Sequence, residues 1–237
     1  MNAQFLKENM MGPNAWLIAE ELTENLSLKR GMKVLDLGCG RGISSVFLAK
    51  KYDVKVFAVD LWISAADNYE RFKQTGVSDL VIPLQVDALC LPFAYNFFDA
   101  VVSIDSYHYF GNNDSYFNQT LIPLLKKDAT VAIAVPGMKY EVQNNIPAEM
   151  KPYWDLDALE MWHSIDWWTL RFAPHLNELQ IAEMNCFDRA WNDWLSCDNP
   201  YAMEDRLMIE TDNGRYMNLI KITGKLGTEA GFCVNQK

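Results

Sequence analysis

Val34-Leu35-Asp36-Leu37-Gly38-Cys39-Gly40-Arg41-Gly42 is the stretch of this sequence that decides the fold. Its apolar residues predict a short strand, 33–37, that ends at a glycine turn, and a helix begins at Ile43. Glycine carries no Cβ and tolerates a positive φ, so such a turn lets the backbone approach a ligand closely. The helix start adds unpaired N–H groups and partial positive charge. The pattern therefore indicates a nucleotide-like ligand at the first strand–helix turn.

The glycine spacing excludes two common nucleotide sites. Gly38-x-Gly40-x-Gly42 lacks the third glycine position of the dinucleotide fingerprint, and no Gly-Lys-Ser/Thr follows as a P-loop requires. Asp36 precedes the glycines, and its charge is unhelpful beside a pyrophosphate but suits a ligand with an ammonium and a sulfonium. A second predicted strand, 54–59, ends at Asp60, whose carboxylate can accept both hydroxyls of a ribose.

The residues after the second and third strands supply candidate adenine contacts. Leu61 and Trp62 can cover an adenine face, although Trp62 can equally be a surface residue that shields a helix start. After the third strand, 81–86, the Asp87 carboxylate can accept from an adenine amino group while the Ala88 N–H donates to a ring nitrogen. The alternative for Asp87 is a loop aspartate that caps a turn.

With Val34–Gly42 and Asp60 in place, the chain resembles the class I S-adenosylmethionine (SAM)-dependent methyltransferases. His163-Ser164-x-Asp166-Trp167-Trp168 and Trp191-x-x-Trp194-Leu195 resemble a bacterial subgroup of small-molecule methyltransferases related to cyclopropane fatty acid synthases. The resemblance implies a doubly wound, Rossmann-like α/β sheet of seven strands, in the order 3-2-1-4-5-7-6 with strand 7 antiparallel. It implies one domain over 1–237, with an aromatic-rich insertion at 138–175 between strands 5 and 6. It also implies SAM as the cofactor, with the candidate binding residues Asp36, Gly38, Cys39, Gly40, Asp60, Leu61, Trp62, Asp87, Ala88 and Asp105.

The end of the fourth predicted strand, 100–104, is the second chemical centre. Ligands of open parallel α/β sheets bind at the carboxyl ends of the strands, and Asp105 to Phe110 follow this one. A thiol or hydroxyl acceptor must lose a proton, and His108 is the candidate base because its ordinary pKa lies near 6.5. The alternative is a hydrogen-bonded structural histidine. Tyr107 is a second catalytic candidate, as a residue that orients the nucleophile. The Asn/Asp-Pro-Pro-Tyr motif of base-modifying relatives is absent here, which argues against nucleic-acid bases as substrate.

Two regions are candidates for covering the substrate. Residues 1–12 are predicted to be an irregular arm, and the helix that begins near Pro13 can be a lid or a packing helix. The tryptophans of the insertion can form a substrate cap or can attach the insertion to the body. We expect a small, fairly apolar, neutral or cationic acceptor, and the candidate substrate residues are Met11, Tyr109, Trp154, Trp162 and Trp167.

Composition limits the partners. The chain has 237 residues and a formal net charge of −10, so its surface repels phosphate backbones and anionic membranes. Five cysteines, none spaced as C-x-x-C, predict neither a disulfide framework nor a zinc site, and the histidines show no metal-ligand spacing. No signal peptide or membrane span is expected. We therefore expect a cytoplasmic monomer or homodimer with no metal.

Two other classes of function remain as alternatives. An NAD-dependent oxidoreductase shares the strand–turn–helix and the acid after the second strand, but the glycine spacing, Asp36 and Asp87-Ala88 argue against it. A SAM-binding sensor or subunit without catalysis shares every cofactor motif, and no residue excludes it.

Overall fold

A single mixed sheet organises the molecule. In the computed structural model, which describes residues 2–154 and 156–227, the strands are β1 (Lys33–Leu37), β2 (Lys55–Asp60), β3 (Val81–Gln85), β4 (Phe98–Ile104), β5 (Leu125–Met138), β6 (Leu176–Glu183) and β7 (Met217–Leu226). Their order is β3-β2-β1-β4-β5-β7-β6. Neighbours from β3 to β5 are parallel, whereas β7 is antiparallel to both β5 and β6. The predicted Rossmann-like α/β fold is confirmed.

Helices cover both faces of the sheet. Successive side chains of a strand point to opposite faces, and accordingly Val34 joins one buried apolar cluster while Leu35 joins the other. Parallel strands buried on both faces are mostly apolar, and in β4 the polar residues are Asp99 and Ser103. The helices are α1 (Ala3–Asn9), α2 (Ala15–Leu22), α3 (Ile43–Tyr52), α4 (Ala65–Thr75), α5 (His108–Gly111), α6 (Asp114–Tyr116), α7 (Leu156–Leu159), α8 (Ile165–Phe172), α9 (Phe187–Leu195) and α10 (Pro200–Asp212).

The amino-terminal arm differs from its prediction. Residues 1–12 were expected to be irregular, but α1 forms there, with the Asn2 side chain accepting the Gln4 N–H. The next helix was expected to begin near Pro13. Instead Asn14 caps α2 by accepting the Trp16 N–H, so Pro13 precedes the cap. The Asn14 side chain thus satisfies one of the backbone N–H groups that have no partner within the first turn of a helix.

Residues 114–124 do not form one continuous helix. They form α6, a π-helical turn (Phe117–Leu121) and a 3-10 turn (Ile122–Leu124), because Pro123 has no N–H to continue a helix. Strand β6 forms the edge of the sheet beside β7, which ends at Leu226.

The aromatic insertion packs against the sheet. In α8, which Ser164 caps, Trp168 and Phe172 are fully buried in the cluster that contains Leu35. Gly137 and Met138 at the end of β5 pair with His163 through backbone contacts. The insertion is thus held to the body by both core side chains and main-chain bonds.

We predict that Trp168→Ala destabilises the protein by about 3–5 kcal/mol, because truncating a fully buried tryptophan loses transfer free energy and leaves a cavity. Urea unfolding would measure the change. Leu170→Ala on the same helix is the control, since Leu170 is 77% exposed and its truncation is expected to change stability by less than about 0.5 kcal/mol. Equal effects of the two substitutions would contradict the packing described here.

Candidate active site

The predicted ligand-binding residues lie side by side along one edge of the sheet, at the ends of neighbouring strands. Asp87 follows β3, Asp60 ends β2, Gly38 follows β1 and Asp105 follows β4. Neighbouring strands are about 4.8 Å apart, so these positions span roughly 14 Å. A cavity of about 240 Å³ runs along this edge. Of the predicted site residues, its wall contains Met11, Gly38, Cys39, Gly40, Asp60, Leu61, Trp62, Asp87, Ala88, Asp105 and Tyr109.

The glycine turn is a tight backbone loop fixed to β2. The N–H groups of Gly38 and Cys39 both donate to the Val59 carbonyl at 2.9 Å. Gly38 has φ +76°, and a Cβ there would lie 1.7 Å from the Ser106 Oγ. Any side chain at Gly38 would therefore clash with the residue that follows Asp105. The turn allows the backbone after β1 and the backbone after β4 to meet at the cavity.

Asp60 organises the middle of the edge. One carboxylate oxygen accepts the Gly40 N–H at 2.8 Å, and the other accepts the N–H groups of Trp62 and Ile63 at 2.9 and 3.0 Å. A carboxylate offers about four acceptor positions, so three are used within the protein. Asp60 thus holds the turn and the start of the next segment while still lining the cavity.

Asp36 lies beneath the turn and does not line the cavity. It is fully buried, and its Oδ2 accepts from the hydroxyls of Ser44 and Ser45 at 2.7 and 2.5 Å, whereas Oδ1 has no hydrogen-bond partner among the described residues. Burial raises the pKa of Asp36 to about 6, and the two serine hydroxyls oppose that rise. A carboxylate held this way fixes the first turn of α3 under the glycines.

The loop after β3 is braced by two hydrogen bonds. The Asp87 Oδ1 accepts the Leu89 N–H at 2.8 Å, which is the turn-capping contact considered as its alternative role. Tyr116 donates its hydroxyl to the Ala88 carbonyl at 2.9 Å. The second Asp87 oxygen is left for a ligand, because one capping bond uses only part of a carboxylate.

Asp105, directly after β4, has a strained backbone conformation. Its φ is +53°, in the left-handed region that costs a non-glycine residue energy, and such residues cluster at functional sites. A Cβ on Gly12 would lie 2.8 Å from its Oδ2, so the arm passes directly over this carboxylate. Burial raises the pKa of Asp105 to about 7, and the charge of Asp205 adds to the rise.

The amino-terminal arm closes the cavity. Met11, Gly12 and Pro13 belong to its wall. The Arg41 guanidinium donates to the Glu8 carbonyl at 3.0 Å, which attaches α1 to the glycine turn itself. This arrangement supports the lid interpretation of the arm.

The catalytic candidates His108 and Tyr107 are not on the cavity wall. Both are almost fully buried. Burial lowers the pKa of His108 to about 3, and its Nδ1 has no hydrogen-bond partner among the described residues. Tyr107 packs against Trp168 and Phe172, and burial raises its pKa well above the ordinary value. The geometry places the adjacent Tyr109 at the cavity instead.

The tryptophans predicted to contact substrate also lie elsewhere. Trp154, Trp162 and Trp167 are absent from the wall of the cavity. The His163 ring stacks on Trp167 at 3.6 Å and the Arg171 guanidinium lies 3.2 Å from the centre of the same indole. At these distances the two groups must cover opposite faces, so neither face of Trp167 is open to a ligand. These contacts match the attachment role that was the alternative for the cluster.

Several wall residues were missed by sequence reasoning. Ser106 and Phe110 are next to predicted residues and could have been found from the end of β4. Arg41 lies inside the glycine motif. Asn68 on α4, which donates to the Gly40 carbonyl at 2.9 Å behind the wall, carries no motif signal because its role depends on helix packing.

Two kinds of feature are absent from the described residues. They contain no group of three or more histidine, cysteine or acidic residues arranged to hold a metal ion. None of their helices combines the length and apolar character of a membrane span.

The sheet order, the antiparallel last strand and the glycine turn over an edge cavity define a Rossmann-like methyltransferase fold. Residues 34–128 match the family model described as a methyltransferase domain.

Named relatives agree with this assignment. Phosphoethanolamine N-methyltransferase 1 of Arabidopsis thaliana is 30% identical over 115 residues, which cover 48% of this chain and 23% of the plant protein. Cyclopropane-fatty-acyl-phospholipid synthase of Escherichia coli K12 is 38% identical over 98 residues, 40% of this chain and 24% of that protein. The structure of Haemonchus contortus phosphoethanolamine N-methyltransferase 2 in complex with SAM has a TM-score of 0.72 and 18% identity, covering 94% of this chain and 56% of that one. The matched segments thus span about a quarter of these curated relatives.

We predict that the stability cost of Asp36 grows with pH. Burial raises the pKa of Asp36 to about 6 in the folded protein, from an ordinary value of 3.8, so the folded state binds this proton more tightly than the unfolded state does. The resulting stabilisation of the folded state is complete at low pH and is lost as the pH rises through about 6. Relative to Asp36→Asn, the wild type should lose about 2 kcal/mol between about pH 4.5 and about pH 7.5. Urea unfolding of both proteins across this range measures the difference, and parallel stability curves would contradict it.

Proposed function

We propose that this protein binds SAM along the carboxyl edge of the sheet and transfers its methyl group to a small-molecule acceptor. The observation that carries the proposal is the order of β3, β2, β1 and β4 along the edge, with a polar residue or the glycine turn at each strand end. The order matches the order of adenine, ribose and amino acid in an extended SAM molecule. The same residues fit an NAD-type ligand less well, because Asp36 and Asp60 flank the turn where a pyrophosphate would lie.

Each part of the cofactor has candidate partners. Asp87 and the Ala88 N–H would hold the adenine, with Leu61 and the 67%-exposed Trp62 against its face. The remaining acceptor position of Asp60 would take a ribose hydroxyl. The Gly38–Gly40 backbone would contact the amino-acid end. The partnerless Oδ1 of Asp36 beneath the turn is a further sign that this turn is built to stabilise positive charge.

When bound, SAM supplies a methyl group made electrophilic by the adjacent sulfonium. This chain's own contribution is orientation and exclusion of water. The arm with Met11, Gly12 and Pro13 covers the cavity. Because Gly38 has no side chain, the turn after β1 comes close to Ser106, and the segments after β1 and β4 line the same cavity. His108 stays a predicted base, although its burial and lowered pKa favour a group on the wall for any proton transfer.

The finer predictions belong to the same proposal. The chain is acidic, and its cavity wall contains one arginine, so the site offers little positive charge to a phosphate backbone. This supports a small molecule, and not a nucleic acid, as the methyl acceptor. The four described cysteines are unpaired, which supports a reducing, cytoplasmic compartment. The packed insertion supports one domain, and monomer or homodimer remains the predicted state.

We predict that Asp60→Asn weakens S-adenosylhomocysteine binding at least about tenfold, since a charged hydrogen bond contributes roughly 1.5–3 kcal/mol. Isothermal titration calorimetry measures the change. Asp79→Asn is the matched control, because this exposed acid precedes β3 and so lies at the opposite edge of the sheet. Unchanged affinity in Asp60→Asn would overturn the cofactor assignment.

Transfer itself is tested with methyl-tritiated SAM and fractionated metabolite extracts. Label in a small-molecule fraction is the expected result. Tight SAM binding with no labelled product in any fraction would favour the non-catalytic sensor or subunit.

A further inference from the structure

Asp105 is a carboxylate without a partner at the end of the cavity where the acceptor must bind. It directly follows β4, beyond the β1 turn that would hold the amino-acid end of the cofactor. Within residues 2–154 and 156–227, its carboxylate accepts no hydrogen bond and forms no ion pair. Burying an anion without compensation is costly. A protein that keeps such a group on a cavity wall, in a strained left-handed conformation, leaves it available to a ligand.

Two aromatic rings accompany this carboxylate. Tyr109, four residues after Asp105, and Trp62, two residues after Asp60, both line the cavity. Their ring centres are 5.9 Å apart in a T-shaped arrangement, and the two side chains are 54% and 67% exposed. Large aromatic side chains left this exposed inside a binding cavity offer their faces to a ligand, and an aromatic face attracts a cation.

The electrostatic field at this end is negative. Asp205 on α10, fixed by a 2.8 Å hydrogen bond from the Trp194 indole N–H, raises the pKa values of Asp105 and Tyr109 in addition to the effect of burial. No positive side chain contributes to the pKa shift of Asp105. The cation on the described cavity wall is Arg41, whose guanidinium is turned to the Glu8 carbonyl of α1.

From these contacts we propose that the methyl acceptor is an amine bound as a cation, with its ammonium on the Asp105 carboxylate and its substituents against Tyr109. The inference rests on the proposed function and names its substrate class. A neutral alcohol would leave the Asp105 charge uncompensated, and an anionic acceptor would meet repulsion from Asp105 and Asp205.

The same placement gives the reaction its proton acceptor. A secondary ammonium gives one proton to the Asp105 carboxylate, which becomes a neutral acid. The freed nitrogen lone pair forms the bond to the methyl carbon as the carbon–sulfur bond breaks, and that electron pair stays on sulfur. The products are a methylated tertiary ammonium and the thioether S-adenosylhomocysteine, so the total charge of the reacting groups is unchanged. A group on the wall that titrates near neutral pH suits this transfer better than the buried His108.

The test is a binding comparison of two probes of nearly equal shape. Choline carries a quaternary ammonium that needs no deprotonation, and 3,3-dimethyl-1-butanol is its neutral isostere. Each is titrated calorimetrically into the full chain, free and saturated with S-adenosylhomocysteine. We expect choline to bind at least about tenfold more tightly than the alcohol in the saturated protein. In Asp105→Asn we expect this preference to fall below about threefold, whereas Glu210→Gln, an exposed acid on α10, should retain it.

The outcomes separate this inference from the proposed function. Equal binding of the two probes, or tighter binding of the alcohol, overturns the amine assignment even when S-adenosylhomocysteine binds well. A large loss of S-adenosylhomocysteine affinity in Asp105→Asn with the choline preference intact assigns Asp105 to the cofactor and also overturns it. If S-adenosylhomocysteine does not bind to the wild type, the proposed function fails, and the probes titrated into the free protein still show whether the cavity selects a cation. Thermal unfolding of each variant verifies that it is folded.

Discussion

The interaction on which the site depends is the Asp60 carboxylate holding three backbone N–H groups. It connects the glycine turn after β1, through Gly40, to the segment after β2, through Trp62 and Ile63. Hydrogen bonds to a charged acceptor are stronger than neutral ones, so this one side chain fixes two loops from neighbouring strands. The wall on either side of Asp60 is therefore preorganised before a ligand arrives, and a ligand that binds there need not supply the energy to order it.

The sequence was most informative where function depends on local backbone geometry. A glycine at Gly38 is required by φ and by the approach of Ser106, and acids that directly follow strands must lie at the carboxyl edge whatever packs around them. Hence the fold, the turn and the line from Asp87 to Asp105 could all be predicted.

Sequence patterns could not distinguish roles that depend on which face of an element meets the core. His108 and Tyr109 are adjacent in sequence, yet one is 2% and the other 54% exposed, because α5 directs them to different surroundings. The tryptophans of the insertion are similar: an aromatic cluster is equally suited to a cap or to packing, and only the stacking of His163 and Arg171 on Trp167 distinguishes the two. Helix α1 was missed since its seven residues are held largely by tertiary contacts such as the one from Arg41.

The charges of the cavity also explain why its arm must be held so closely. Burial raises the pKa of Asp105, and Gly12 of the arm lies beside its carboxylate, since a Cβ on Gly12 would be 2.8 Å from the Asp105 Oδ2. Glycine at this position brings the main chain of the arm near the carboxylate and limits its contact with water, which strengthens charge interactions inside the cavity. A positively charged ligand gains most from such a site, because it neutralises a carboxylate that has no partner among the described residues.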